Sequence, residues 1–559
     1  MKKWTLIGFV LLFAFSIFIV GCGGKETNTS SQPASENQNS GSSGTDSSTN
    51  NRSSLPNGGG TLVFGRGGDS VSLDPADVTD GESLVVTKQV FDTLVDYADD
   101  STDVVPALAE EWDSQDGLTW TFKLRQGVKF HDGTDFNADA VVFNFERWMD
   151  KENPYHQGDF PYYSYMFGGF KGDEGHIIKE VKSVNPYTVQ ITLNRPYSPF
   201  INTIAMPAFA IASPEAVKKY GDKFGENPVG TGPFIFKEWK RNDSITLEKN
   251  PNYWMEGYPK LDKLIYRSIP DNSARFIALQ NGEIDLMDGL NPDDVTLAKQ
   301  DSNLQVFLRP SMNVGYLAFN TEKPPFDNKK VRQALNYAVD KKALIDAFYN
   351  GLAEPAKNPM PPSLWGYNDD IQDYEFNLEK AKQLLAEAGY PNGFEVDFWA
   401  MPVPRPYIPQ GQQIAEAIQA WFSEIGVKTN IVSYEWATYL EKTGKGEHSM
   451  ALLGWTGDNG DPDNFLYVLL DKDNAKGPDA GNIAFYKNDE LHDILIQAQQ
   501  ISDQGERAKL YQRAQEIIKD DAPWIPLVHS TPPLAGKVNI KGFVPHSTGT
   551  DKMTKVYFE

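Results

Sequence analysis

Cysteine is nearly absent from this chain: Cys22 is the only one in 559 residues. That excludes an internal disulfide. Histidine is scarce as well, and its seven copies are scattered, so no metal cluster can be read from their spacing. Positive charge is in deficit, with 52 Lys and Arg against 76 Asp and Glu and a net charge of −24. Nucleic acid is therefore excluded as a partner, because a phosphate backbone needs clustered Lys and Arg. Long apolar runs are missing after residue 20. The catalytic signatures are missing too: there is no G-x-S-x-G elbow, no H-E-x-x-H, no P-loop and no dinucleotide fingerprint. Gly65-Arg-Gly-Gly68 and Gly230-Thr-Gly232-Pro lack the spacing, and His131 in His-Asp-Gly reads as a turn residue. Folding can still assemble a site from distant positions.

The one apolar run that exists defines the setting. Lys2 and Lys3 precede an uncharged stretch from Trp4 to Val20, closed by Ile19-Val20-Gly21-Cys22. The alternative is a transmembrane helix, but at 17 residues the run sits at the lower limit for a span, and no basic stop-transfer cluster comes after it. Basic, then apolar, then small residue plus cysteine is the order of a secretory signal, and its end resembles a bacterial lipobox. The expectation is a signal peptide over 1–21 and a lipidated Cys22 (a palmitate-type anchor) on the outer face of the cell membrane. The arrangement is of the Gram-positive type. Residues 25–58 are mostly Ser, Asn, Thr, Gly and Gln. Such a tract buries no core and reads as a flexible tether, so 22–59 is assigned as anchor and linker.

The chain is rich in aromatic residues, including 24 Tyr and 12 Trp. Their broad apolar faces with polar tips suit binding clefts, although large cores use them as well. Order is expected from Thr61, with Thr61 to Phe64 as a strand. Trp120, Phe122 and Leu124 alternate with Thr121 and Lys123, and Thr188 to Leu193 alternates likewise; both predict strands. Asn137-Ala-Asp opens a helix with Val141, Val142 and Phe145. Strands are predicted over Ser244 to Glu248 and Lys263 to Ser268. The next element is a helix from Ser273 to Asn281, capped by Asp271 or Asn272 and ended by Gly282.

From 330 to 525 helix and strand alternate. Val331, Ala334, Leu335 and Ala338 form one helical stripe. Asp340 caps a helix with Ala343, Leu344, Ala347 and Phe348 inside. Asn377 caps another, bearing Ala381, Leu384, Leu385 and Ala388. Ile414, Ala417, Ile418, Trp421 and Ile425 form a further stripe. Strands are read at Phe394 to Ala400, Thr429 to Tyr434 and Met450 to Trp455. This alternation predicts a parallel sheet. No internal repeat is visible.

In open parallel sheets ligands bind outside the carboxyl ends of the strands. Two loops qualify. Met401-Pro-Val-Pro-Arg405-Pro-Tyr407 offers a cation between prolines, which limit backbone freedom. Thr456-Gly-Asp458-Asn-Gly-Asp461-Pro-Asp463-Asn offers carboxylates beside Trp455. If both face one cleft, it suits a zwitterion such as a free peptide. The guanidinium would grip the ligand's carboxylate, and a carboxylate its ammonium. The alternatives are a surface Arg405, and Asp458, Asp461 and Asp463 as turn formers or calcium ligands. The EF-hand pattern fails, with Gly460 at its third position and Leu469 at its twelfth.

Four stretches carry a family resemblance: Trp120-Thr-Phe-Lys-Leu-Arg-Gln-Gly-Val-Lys-Phe-His-Asp-Gly133 with Asn137 to Phe143; Asn227-Pro-Val-Gly-Thr-Gly-Pro-Phe234; Asn313 to Asn320 with Val331 to Val339; and Trp399 to Tyr407 with Gly454 to Asn464. From about Thr61 onward the chain resembles the extracellular solute-binding proteins of peptide ABC importers (family 5), and most closely the dipeptide-binding ones. The resemblance implies an α/β fold of two hinged lobes plus an extra domain. By similarity, lobe I comprises 60–92, 226–311 and 530–559, the extra domain 93–225, and lobe II 312–529.

The resemblance also matches Asp458 to the residue that holds the peptide ammonium and Arg405 to the one that holds its carboxylate. Trp455, Thr456 and Tyr407 would line the pocket. A loop over Val78 to Ser83, with Thr79 and Gly81, would approach from lobe I. Asp80 and Glu82 make that loop more acidic than the family pattern, which favours basic or differently shaped ligands. The implied function is a monomeric, non-enzymatic lipoprotein. It would capture dipeptides, or short oligopeptides, and deliver them to an ABC permease with its ATPase subunits, using no cofactor and no metal. Glutathione, a nickel chelate or haem are alternative ligands. A peptide-sensing receptor or an extracellular peptidase ranks last.

Overall fold

The computed structural model describes residues 59–559. The expected signal peptide, Cys22 and the tether to residue 58 lie outside them. Among the described residues, no helix is long and apolar enough to cross a membrane.

Three sheets organise the chain. The first has seven strands in the order Leu304–Leu308, Pro533–Lys537, Leu286–Met287, Thr61–Arg66, Lys263–Ser268, Ser244–Lys249 and Phe234–Lys240. Thr61–Arg66 runs parallel to both its neighbours, and the remaining pairs are antiparallel. Leu62 to Arg66 are all buried, as a central strand covered on both faces requires. Helix Gly81–Val90 packs against this sheet, burying Val85, Val86 and Val90 against Phe64, Leu264 and Tyr266.

The second sheet is a four-stranded antiparallel one: Ala109–Asp113, Thr119–Leu124, Thr188–Leu193 and Ile178–Asn185. The predicted alternation holds at its centre, where Val189, Ile191 and Leu193 are buried and the residues between them half-buried. Helix Ala138–Met149 covers one face, and the Asn137 side chain caps it by accepting from Ala140 N at 3.1 Å. The quoted glycines of Asn227 to Phe234 have a packing role. A Cβ on Gly230 would stand 2.3 Å from the Val90 carbonyl oxygen, and one on Gly232 would stand 2.5 Å from the Val90 carbonyl carbon. His131 also docks here. Burial lowers its pKa to about 4, and neutral Nε2–H donates to Gly232 O at 2.9 Å.

The third sheet has six strands in the order Ala353–Pro355, Trp524–Ser530, Asn313–Phe319, Met450–Thr456, Glu395–Trp399 and Lys428–Val432. The three strands read from the sequence are mutually parallel. The sheet as a whole is mixed, however, because Asn313–Phe319 runs antiparallel to both its neighbours. The expectation of a parallel sheet is corrected to that extent. Strand Asn313–Phe319 is buried throughout, so its sequence shows no alternation to read. Helix caps at Asp340 and Asn377 form as expected. In helix Lys341–Phe348, Leu344 and Ile345 are buried, while Ala343 and Ala347 face solvent, contrary to the predicted stripe.

Candidate ligand-binding cleft

Strands Glu395–Trp399 and Met450–Thr456 are parallel neighbours, so their carboxyl ends emerge at the same edge of the sheet. The loop carrying Arg405 leaves the first, and the loop carrying Asp458 leaves the second. Both reach one cavity of about 180 Å³. Thr79, Gly81, Arg405, Tyr407, Trp455, Thr456 and Asp458 all line it. These are the seven positions singled out in the sequence.

The Arg405 loop is stiff for local reasons. Arg405 and Ile408 exchange both backbone hydrogen bonds at 3.0 Å across Pro406-Tyr407. Ser530 Oγ donates to the Pro406 carbonyl at 2.7 Å, and Tyr349 OH donates to the Tyr407 carbonyl at 2.8 Å. The Tyr407 ring lies against Gly454, where a Cβ would come within 2.2 Å of a ring carbon. Gly454 is thus needed for the ring to reach the cavity. The Arg405 guanidinium stacks 4.5 Å from the Trp436 ring centre, a cation–π contact that keeps a planar cation in place.

Asp458 is held by a denser network. Tyr162 OH donates to Oδ1 at 2.8 Å, and Asn464 Nδ2 donates to Oδ2 at 3.0 Å. Asn464 Oδ1 accepts from the Asp458 backbone N–H at 2.8 Å and from Trp455 Nε1–H at 3.1 Å. One amide therefore orients both the carboxylate and the indole. Burial pushes the Asp458 carboxyl up to about 7, against the pull of these donors. Among the described residues its partners are neutral donors and no cation pairs with it, which makes it an acceptor awaiting a positive charge.

Asp461 and Asp463 do not join it. Asp461 accepts from Arg507 Nη2 at 2.8 Å, and Asp463 accepts from Gln499 Nε2 at 3.0 Å. Both are buried in structural roles, and the loop's three carboxylates divide their labour.

The Val78 to Ser83 segment departs from the expected loop. Asp80 caps helix Gly81–Val90 through a 3.0 Å bond from Ser83 N, so Gly81 and Glu82 form the first helical turn. Glu82 reaches across the cleft to Arg405, Oε1 to Nη1 at 3.0 Å. Sequence reasoning marked Glu82 as unusual but not as the partner of Arg405. Further lining residues that it missed include Tyr162, Trp436, Arg309 and Asp288. Tyr162 lies 296 positions from Asp458, and no local signal links the two.

The family model for bacterial extracellular solute-binding proteins, family 5 (middle), matches residues 103–477. Heme-binding protein A of Haemophilus influenzae is 44% identical over 93% of this chain and 94% of its own. The dipeptide-binding protein of Escherichia coli is 41% identical over 89% of this chain and 94% of its own. The structure of the ABC transporter-associated periplasmic binding protein DppA from Helicobacter pylori, in complex with peptide STSA, superposes with a TM-score of 0.85. It is 40% identical, covering 90% of this chain and 99% of that one. Fold, cleft and likeness agree: this chain belongs to the bacterial extracellular solute-binding proteins, family 5.

Proposed function

We propose that this protein captures dipeptides outside the cell and delivers them to the membrane permease of an ABC importer. One observation carries the reading: Arg405 and Asp458, of opposite charge, line a single cavity at the carboxyl ends of two parallel strands. Arg405 Nη1 is engaged by Glu82, while Nη2 and Nε make no hydrogen bond to the described residues. That fork is available to a carboxylate. Asp458 takes the ammonium. The distance between a peptide's termini grows by about 3.3–3.6 Å per residue, so a fixed pair of charges selects length. Water fills what side chains leave open. The dipeptide-binding relatives support this choice.

In this reading the segments assigned to lobes I and II close around the ligand by hinge motion. The closed form docks on the permease, whose ATPase subunits supply the energy. The chain performs no chemistry. It acts as a monomer held to the membrane by a lipid on Cys22. The haem-binding relative names a second candidate, whose propionates would suit Arg405 but leave Asp458 without a cation.

Mass spectrometry of ligand co-purified with the protein tests the reading, followed by calorimetric titration with dipeptides, glutathione and haem. Tight binding of free dipeptides supports it. Tight binding of haem together with indifference to dipeptides overturns it.

A further inference from the structure

Arg405 already has a carboxylate partner within the chain. The Glu82–Arg405 pair is nearly closed to solvent, with the two side chains 13% and 12% exposed. Burial raises the Glu82 pKa, and Arg405, Arg66 and Arg275 lie near enough to oppose that rise. Gly67 leaves the space, since a Cβ there would sit 3.2 Å from Glu82 Oε1. Beyond the pair lies a second cavity of about 50 Å³. Glu82, Asp288, Arg405, Pro406 and Pro532 form walls of both cavities. The pair is therefore a partition between two compartments.

The charges facing the main cavity do not cancel. Arg309 is spent on Asp551, at 2.6 Å, and Arg66 on Asp69, at 3.1 Å. Arg405 is matched by Glu82. Asp288 lies 4.0 Å from Arg309 and is further offset by Arg275, whose Nε donates to the Asp288 carbonyl at 2.8 Å. Asp458 remains, together with Asp80, whose nearby cations Arg405 and Arg66 are both already paired. Asp80 Oδ1 caps its helix, while buried Oδ2 finds no hydrogen-bond partner among the described residues. A plain zwitterion pairs its ammonium with Asp458. Its carboxylate then adds a negative charge beside a guanidinium already neutralised by Glu82.

We propose that the ligand brings a second positive charge, as a dipeptide whose carboxyl-terminal residue is Lys or Arg, and that Glu82, aided by Asp80, is the specificity-determining group that receives it. This rests on the dipeptide reading above. The position follows from geometry. The ligand residue whose carboxylate sits on Arg405 starts its side chain beside Glu82 and the partition. With a basic side chain in place, positive and negative groups alternate around Arg405, and the excess of carboxylates over cations is reduced by one.

Titration of the intact protein with Ala-Lys, Ala-norleucine, Ala-(N-acetyl-lysine) and Lys-Ala tests this. Ala-Lys should bind at least about tenfold more tightly than Ala-norleucine, as a charge-assisted contact predicts. The acetylated ligand should behave like norleucine, and Lys-Ala should gain less than Ala-Lys. In Glu82→Gln the Ala-Lys to Ala-norleucine ratio should collapse. Because the ratio compares two ligands on one protein, a variant that is merely destabilised leaves it unchanged. Equal affinity for Ala-Lys and Ala-norleucine in the wild type overturns this inference alone. A full lysine preference retained in Glu82→Gln overturns the role of Glu82. Failure of every dipeptide to bind removes the dipeptide reading and this inference with it.

Discussion

The Tyr162 hydroxyl donates 2.8 Å to Asp458 Oδ1 across 296 residues of chain. It ties the short helix Pro161–Phe167 to the loop after strand Met450–Thr456. Because the acceptor is a buried carboxyl pushed up to about 7, this bond helps set both its position and its protonation. Tyr162→Phe should raise the Asp458 pKa further and weaken dipeptide binding by about 1.5–3 kcal/mol, the usual worth of a hydrogen bond to a charged group. Calorimetry across pH 6–8 checks it; an unchanged affinity profile would mean that the bond is incidental.

Asp458→Asn should abolish measurable dipeptide binding, a loss of about 2–5 kcal/mol, because the ligand's ammonium would be buried without a counter-ion. The fold should persist, since the amide keeps the shape. Calorimetric titration beside a thermal melt reads both, and wild-type affinity in the variant would remove Asp458 from the site.

The pH dependence has a definite sign. The folded Asp458 pKa lies above its unfolded value, so the native state holds the proton longer. Asp458 is neutral in both states below about pH 4. It progressively destabilises the ligand-free protein as pH rises from about 4 to about 7, and the penalty is constant above that. Between pH 4 and 7 the Tm of Asp458→Asn should fall less than that of the wild type. Dipeptide affinity in the wild type should rise through pH 7 as the carboxylate forms. It should decline again above about pH 8, where a peptide's α-amino group loses its proton. An affinity flat from pH 6 to 8 would contradict the assignment.

Arg405→Ala should weaken binding of free dipeptides and shrink the penalty for a C-terminal amide. It also strands Glu82, a nearly buried carboxylate. Its Tm should therefore drop, and a second change, Glu82→Gln, should restore part of the loss. Thermal melts of the single and double variants measure that rescue, while paired titrations with free and amidated dipeptides read the penalty.

Asp461 is the internal control. It neighbours Asp458 in sequence but pairs with Arg507 in a buried site. Asp461→Asn should lower stability, with the approximate ceiling of 3–5 kcal/mol for breaking a buried pair. Once folded, it should bind dipeptides with an affinity within about threefold of wild type, less than the 1.4 kcal/mol of a tenfold change. A large affinity loss in folded protein would assign Asp461 to the ligand instead.

Much of this was legible in the chain itself. Capping side chains at Asn137, Asp271, Asp340 and Asn377 act within three residues, and a period-two strand such as Thr188–Leu193 advertises its buried face. Such signals are local, so a linear reading recovers them. The two loops were also findable, because ligands gather at the carboxyl ends of parallel strands and the loops' polar residues come directly after strands. Strand Asn313–Phe319, buried on both faces, had no pattern to show. Its antiparallel pairing was a matter of which strands the fold brought together.

Tertiary structure alone decided the partners. Spacing says nothing of whether Glu82 meets Arg405, whether Tyr162 meets Asp458, or which aspartate of Asp458, Asp461 and Asp463 faces the cavity. Those outcomes depend on distances of a few ångströms between segments hundreds of residues apart, set by how the sheets pack. The residue types were written in the sequence. Their charge balance, and so the chemistry of what fits between them, was fixed only when folding removed water and left each group with its neighbours.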